Sequence, residues 1–382
     1  MRSCVRRSRS ESPPCVSSEA RRRWPIVVVA LLVALGGCAT GSSGSEPPRG
    51  LSSPGPDGSA PSGEAVEIAG PETSNQMELP AAPERAPLTG LVLDGGADAG
   101  RAVLAVKIDA VEAARPQAGL NEADIVVEEL VEGGLSRLLA LYHSRDPSRV
   151  GPVRSARGVD VSLLMSMARP LFASSGANPD YRRALAVSGV VDVGPEVVPE
   201  AYRRAEDRRQ PHDLFADPAV LRGATPELVV GPTPPFAWRS ETEEVPGVRS
   251  DGVDVDWGTT RVGFRWDAVA GGWRRTQDGT AHVDEAGVVV APTNVVVQFV
   301  TYRDSGLRDV NGASVPVADL DGIRGAAWLF TGGSVVEGEW YKANATQPAR
   351  LSDASGAAVG LTPGTTWVLL APAGSATLVE SS

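Results

Sequence analysis

The sequence predicts an α/β (α+β) N-terminal domain followed by a smaller, mainly antiparallel β C-terminal domain. Three observations carry this. Between residues 87 and 225, apolar runs of strand length alternate with stretches of helical spacing. Five prolines, Pro226, Pro232, Pro234, Pro235 and Pro246, then mark a connector over 226–247. Over 248–380, short alternating runs separated by Gly-rich turns replace the helical pattern, and six of the eight tryptophans fall here.

The chain begins with an export signal over residues 1–37. Arg21, Arg22 and Arg23 precede an apolar run from Trp24 to Leu35, which is too short to span a bilayer. Leu35-Gly-Gly-Cys38 follows and resembles the bacterial lipobox, whose Cys thiol is lipid-modified and becomes the new N-terminus. The expectation is lipidation at Cys38, with acyl chains such as palmitate holding an extracytoplasmic protein to the cell membrane. Cys4 and Cys15 would be cut away, so no disulfide and no Cys-based metal site can form within one mature chain. Removing seven arginines and two acids leaves 29 basic against 45 acidic residues, a net charge of −16. A protein this acidic is a poor partner for nucleic acid or for an anionic membrane surface.

Residues 38–86 carry the lipidated Cys and a Ser/Gly/Pro-rich linker with no apolar period, which cannot bury enough surface to fold. As a flexible tether it would span about 40 Å. Folded character starts at Pro87-Leu-Thr-Gly-Leu91. The run Ala102 to Ile108 is a buried strand ending at Asp109, and Arg115-Pro-Gln-Ala-Gly-Leu120 is a loop.

Asp124 to Val131 and Leu135 to Tyr142, joined by Glu132-Gly-Gly134, read as a β-hairpin. Alternation puts Ile125, Val127 and Glu129 on one face and Val126, Glu128 and Leu130 on the other. Helical spacing at Val159, Leu163, Leu164 and Met167 follows, with Ser155 as candidate N-cap. Asn178-Pro-Asp180 caps a second helix, and Asp217-Pro218 a short third.

Gly151-Pro-Val-Arg-Ser-Ala-Arg157 places Arg154, Ser155 and Arg157 where extended chain turns into helix. Unpaired N–H groups and the positive end of the helix dipole favour an anion there, and arginines three apart can grip phosphate or carboxylate. The competing expectation is a structural network in which these arginines neutralise Asp124, Glu128 or Glu129. His212, in Gln210-Pro-His-Asp-Leu214, is a candidate acid, base or anion contact, or a His serving its own loop. No HExxH, paired-Cys, P-loop or G-x-S-x-G pattern occurs, so no metal and no cofactor is expected. Single tryptophans spaced through a β domain read as its core, with a sugar-stacking platform as the alternative.

The chain resembles the YerB-like lipoproteins, a two-domain bacterial family of unknown function. The resemblance runs from about Pro87 to Pro372. It rests on Lys107-Ile-Asp109, Ala114-Arg-Pro-Gln117, Ala123-Asp-Ile-Val126, Val131-Glu-Gly-Gly134 with Arg137, Gly151 to Arg157 and Pro211-His-Asp-Leu214. In the second domain His282, Asn294-Val295 and Pro363 to Trp367 continue it. It implies a surface-anchored envelope protein and no particular reaction. Family-matching motifs in polar loops point to a cleft, so the ligand-binding set is Arg154, Ser155, Arg157, Arg137, Arg115, Asp109, Asp124, Glu129 and His212.

The expected function is an envelope lipoprotein binding an anionic cell-wall or lipid-phosphate ligand, and no catalytic residue is assigned. Ser136-Arg137, Asp146-Pro147 and Arg154 to Arg157 are also similar, in order, to the arginine hairpin of LytR-CpsA-Psr phosphotransferases. That similarity implies phosphotransfer from a lipid pyrophosphate. A structural or partner-docking role is the third expectation.

Overall fold

The apolar run beginning at Ala102 becomes β1 (Leu104–Asp109), a strand buried along its whole length. In the computed structural model, residues 84–93, 99–227, 230–309 and 311–381 are described. The expected signal segment, Cys38 and the linker as far as residue 83 lie outside them.

The first half adds β2 (Ile125–Leu130), β3 (Ser136–Tyr142), α1 (Gly158–Met165), β4 (Leu171–Ala173), α2 (Pro179–Val187) and β5 (Val191–Asp192). Two short strands, β6 (Tyr202–Arg204) and β7 (Leu214–Ala216), and α3 (Pro218–Gly223) complete it. The second half runs through β8 (Ala237–Trp238), β9 (Val248–Asp256), β10 (Arg261–Asp267), β11 (Gly272–Gln277), β12 (Thr280–Ala281) and β13 (Asn294–Val300). The hairpin β14 (Tyr302–Arg308) and β15 (Ser314–Ala318) follows, then β16 (Ile323–Thr331), β17 (Ser334–Lys342) and β18 (Arg350–Asp353). The chain closes with β19 (Gly360–Leu361), β20 (Thr366–Pro372) and β21 (Ala376–Glu380).

One sheet carries the molecule, in the order β12-β11-β10-β9-β17-β16-β13-β20-β2-β3-β1-β4-β5. β20 lies parallel to β13 on one side and parallel to β2 on the other. The sheet therefore runs unbroken from the second half into the first.

The described residues are mostly β, and the α/β (α+β) expectation for the first half holds only in part, in the parallel β1-β4-β5 pairs and three short helices. Its core is the antiparallel set β2-β3-β1, while the helices span only eight, nine and six residues. The helical spacing is real but too short to build a helix layer. The second half is mainly antiparallel, as its alternating runs predict.

Alternation along β1, β2 and β3 sorts side chains to two apolar layers. Leu104, Val106, Ile108, Leu138 and Ala140 join Trp273 and Trp367 on one face. Ala105, Val127, Leu139 and Leu141 join Val159 and Leu164 of α1 on the other. Trp257, Trp273, Trp340 and Trp367 are all buried, so these four tryptophans are core rather than a sugar platform.

Candidate anion site

The site is built where β1 outruns its neighbour. β4 pairs with β1 only as far as Val106, and the segment from Gly151 takes over the free edge. Asp109 N–H donates to Pro152 O at 3.0 Å, and Arg154 N–H donates to Lys107 O at 2.8 Å. On its other side this segment is held by β7, through Val153 N–H to Leu214 O at 2.6 Å. Gly151 sits at φ +149, and a Cβ there would come within 2.9 Å of Leu214 O and the Phe215 ring. Only glycine lets the two chains approach this closely.

Ser155 is not the N-cap that its place in the sequence predicts, because the chain stays extended through residue 156, where Ala156 N–H donates to Gly176 O at 2.8 Å. The cap is Arg157, whose own N–H donates to Asp160 Oδ2 at 2.7 Å.

Asp109 is the hub. Its carboxylate is fully buried, with His212 Nδ1 at 2.7 Å and Arg154 Nε at 2.8 Å, both against Oδ2. The Arg154 contact is an ion pair too poorly aligned to be a hydrogen bond, so Arg154 Nε counts among buried polar atoms without a hydrogen-bond partner. In the β1–β3 register Asp109 stands opposite Arg137, and in the β2–β3 register so does Glu129.

Arg137 is 5% exposed, and its Nε and Nη1 are buried without a hydrogen-bond partner. Burial, and then the positive charges of Arg157 and Arg154, pull its pKa down to about 10, while Asp109 opposes the shift. The group stays charged at neutral pH. A buried charge with its donors unspent costs free energy unless something arrives to accept them.

The other charges have taken partners. Arg157 donates to Glu132 Oε2 through Nη2 at 2.8 Å and to the Ser155 and Ala156 carbonyls through Nη1. Lys107, fully buried, donates to Glu129 and to Asp160 Oδ1, the latter at 2.7 Å. Glu129 is nonetheless pushed up to about 7, because burial comes first and the neighbouring Asp160 carboxylate adds to it against the pull of Lys107. The ammonium of Lys107 does not offset the cost of burying Glu129 in its charged form.

The structure thus brings together Asp109, Arg137, Arg154, Arg157, Glu129 and His212 of the predicted set, with Ser155 contributing a carbonyl. It does not bring Asp124 or Arg115 there. Asp124 sits at the opposite end of β2 and accepts from the N–H groups of His143 at 2.5 Å and Ser144 at 2.8 Å, which makes it a hairpin clamp. Burial raises its pKa. Arg115 lies 3.7 Å from Asp278 in the second half. A hollow of about 130 Å³ is lined by Ser174, Ser175, Gly176 and Arg182 among others but by none of the clustered arginines. The unspent donors of Arg137 lie elsewhere, in the charged cluster around Asp109.

Residues 88–230 match the family model described as Protein of unknown function (DUF3048) N-terminal domain, and residues 253–368 match its C-terminal counterpart. A Bacillus subtilis strain 168 protein named as a lipoprotein, YerB, is 31% identical over 302 residues, covering 75% of this chain and 86% of its own. The chain belongs to the YerB-like DUF3048 family. The crystal structure of YerB from Bacillus subtilis aligns with a TM-score of 0.68 at 28% identity, over 78% of this chain and 100% of that one.

Every residue of this charged cluster falls within the DUF3048 N-terminal match. Three of them, Lys107, Glu132 and Asp160, are absent from the predicted set. Lys107 was open to detection as the one charge inside the apolar run Leu104 to Ile108. Asp160 had a local signal as well, an acid three residues after the helix cap. In this YerB-like protein Glu128 turns to the opposite face, as strand alternation requires, and pairs with Arg275 at 3.0 Å.

Proposed function

We propose that this YerB-like protein is a membrane-anchored lipoprotein of the cell envelope, held by acyl chains on Cys38, that binds an anionic envelope ligand at Arg137 and Arg154. The observation that carries the binding reading is the buried Arg137 guanidinium with two hydrogen-bond donors unspent beside a second, partly exposed arginine. Arg157, by contrast, is taken up by Glu132 and two carbonyls. Cell-wall polymer phosphates and lipid phosphates are the ligands this chemistry fits.

Calorimetric titration of the folded body with inorganic phosphate at low ionic strength tests the reading. Saturable binding weakened at least tenfold in Arg154→Ala supports it, and no saturable binding overturns it. The anchor has its own test in membrane fractionation, where Cys38→Ser is expected in the soluble envelope fraction and continued membrane attachment would contradict lipidation at this thiol. The lipoprotein half of the reading draws on the YerB relative's name and on Leu35-Gly-Gly-Cys38. Among the described residues no helix is long and apolar enough to cross a membrane.

No observation favours phosphotransfer. Ser136 Oγ donates to Glu128 at 2.6 Å on the opposite face of the sheet, and Asp146 is held by Arg222 at 2.7 Å.

A further inference from the structure

Granting the anion-binding reading, the donors around Asp109 also specify the shape and the protonation of what binds. Asp109 Oδ2 takes His212 Nδ1 and Arg154 Nε on the same oxygen, at 2.7 and 2.8 Å. The imidazole and the guanidinium are thereby fixed side by side, with Arg137 opposite Asp109 on β3. The three groups come from three elements: β3, the segment leading into α1, and the loop before β7.

With Nδ1 committed to the buried carboxylate, His212 has only Nε2 to offer, and its ring is 22% exposed. A neutral ring donating through Nδ1 presents a lone pair at Nε2, which repels an anion. The imidazolium presents an N–H there instead, with the Asp109 carboxylate behind it at Nδ1.

We propose that the ligand is a tetrahedral dianion of phosphate type, gripped by Arg137, Arg154 and His212, and that it binds together with a proton taken up at His212 Nε2. A planar carboxylate is satisfied by one bidentate arginine. Three donor groups carried by three separate elements match an anion with oxygens in three directions.

Other charges lie on the surrounding elements and bear on the pH dependence. Asp109 and Lys107 lie on β1, Glu129 on β2, Arg137 on β3, Glu132 in the hairpin turn, Arg154 and Arg157 before α1, and Asp160 in its first turn. On the histidine's own loop Arg208 is turned to the Ala114 and Pro116 carbonyls, Asp213 is paired with Arg204, and Arg209 is exposed. Glu129 is the rival titrating group, since burial pushes it up to about 7.

Titration with sodium sulfate between pH 6 and 8, in two buffers of different ionisation enthalpy, tests the proposal. Sulfate keeps a fixed charge over this range, so any proton taken up is the protein's. The expected result is a buffer-dependent heat, and an affinity falling up to about tenfold per pH unit on the alkaline side. In His212→Gln the residual binding is expected to be independent of pH.

Sulfate binding by the wild-type protein without buffer dependence overturns the proposal, and a pH slope that persists in His212→Gln overturns it in favour of Glu129. Malonate binding as tightly as sulfate overturns the tetrahedral class. Wild-type protein that binds no anion at all sinks the anion reading itself, so the two failures are distinguishable. Vesicles containing phosphatidic acid that displace sulfate assign the phosphate to a lipid headgroup, and vesicles that leave it bound assign it to a soluble or polymer source.

Discussion

Glu129 and Arg137 stand opposite each other in the β2–β3 register, yet Glu129 hydrogen-bonds to Lys107 and Arg137 to nothing through Nε or Nη1. The consequence for Glu129 is a pKa raised from 4.5 to about 7 by burial, with Asp160 adding to it. Its sign is opposite to that of an ordinary paired carboxylate. The folded state holds a proton that the unfolded state has released, so stability falls as pH rises from about 4.5 to about 7 and then levels off. The slope is up to about 1.4 kcal/mol per pH unit. Glu129→Gln is expected to remove this slope from denaturant midpoints measured between pH 5 and 8. Identical slopes in the two proteins would show that Glu129 stays ionised beside Lys107.

At the level of elements, much of the hairpin was legible and much of the arginine segment was not. Strand alternation over Asp124 to Tyr142 placed Glu128 and Glu129 on opposite faces, because a period of two leaves a buried strand no other choice. The caps at Asn178 and Asp217 were legible for the same local reason: each is followed by proline at the first helical position and accepts from N–H groups of its own first turn. Ser155 misled because a serine ahead of a helical period has the spelling of a cap. What overrode it is nonlocal: Val153 is tied to Leu214 and Ala156 to Gly176, which keeps the chain extended for two further residues. The approach of His212 to Asp109 has the same origin. Nothing local to the end of β1 or to the His212 loop encodes a pairing across 103 positions, and only the docking of β7 against the 151–154 segment creates it.

The whole molecule is held together by a second buried network on the other face of the sheet. Glu128 accepts from Arg275 Nη2 at 3.0 and 3.1 Å, from Ser136 and from Trp367 Nε1 at 3.0 Å. Arg275 in turn donates to His282 Nδ1, and His282 reaches Gln117 in the first half at 2.8 Å. Burial, with the charges of Arg275 and Arg115, lowers the His282 pKa well below the usual imidazole range, so that ring stays neutral and part of the scaffold. The separation of composition at the Pro-rich connector was legible in the sequence, but the shared sheet was not, since β20 reaches β2 from more than 200 residues away. Arg275→Met strands the Glu128 carboxylate in the core and is expected to destabilise by roughly 3–5 kcal/mol. Both halves should then melt together in one calorimetric transition at lower temperature. Two separated transitions, in the variant or the wild type, would show that the continuous sheet does not couple them.

Arg137 is a side chain that the fold buries and whose Nε and Nη1 its neighbours leave without a partner. The most direct measurement replaces it with an apolar side chain of similar length, Arg137→Met, and follows sulfate affinity and thermal midpoint together. If the guanidinium is reserved for a ligand, affinity is lost by at least about tenfold while the midpoint holds or rises, because an unpaired buried charge has been removed. A midpoint that falls with anion affinity unchanged would make Arg137 a structural residue and contradict the binding site.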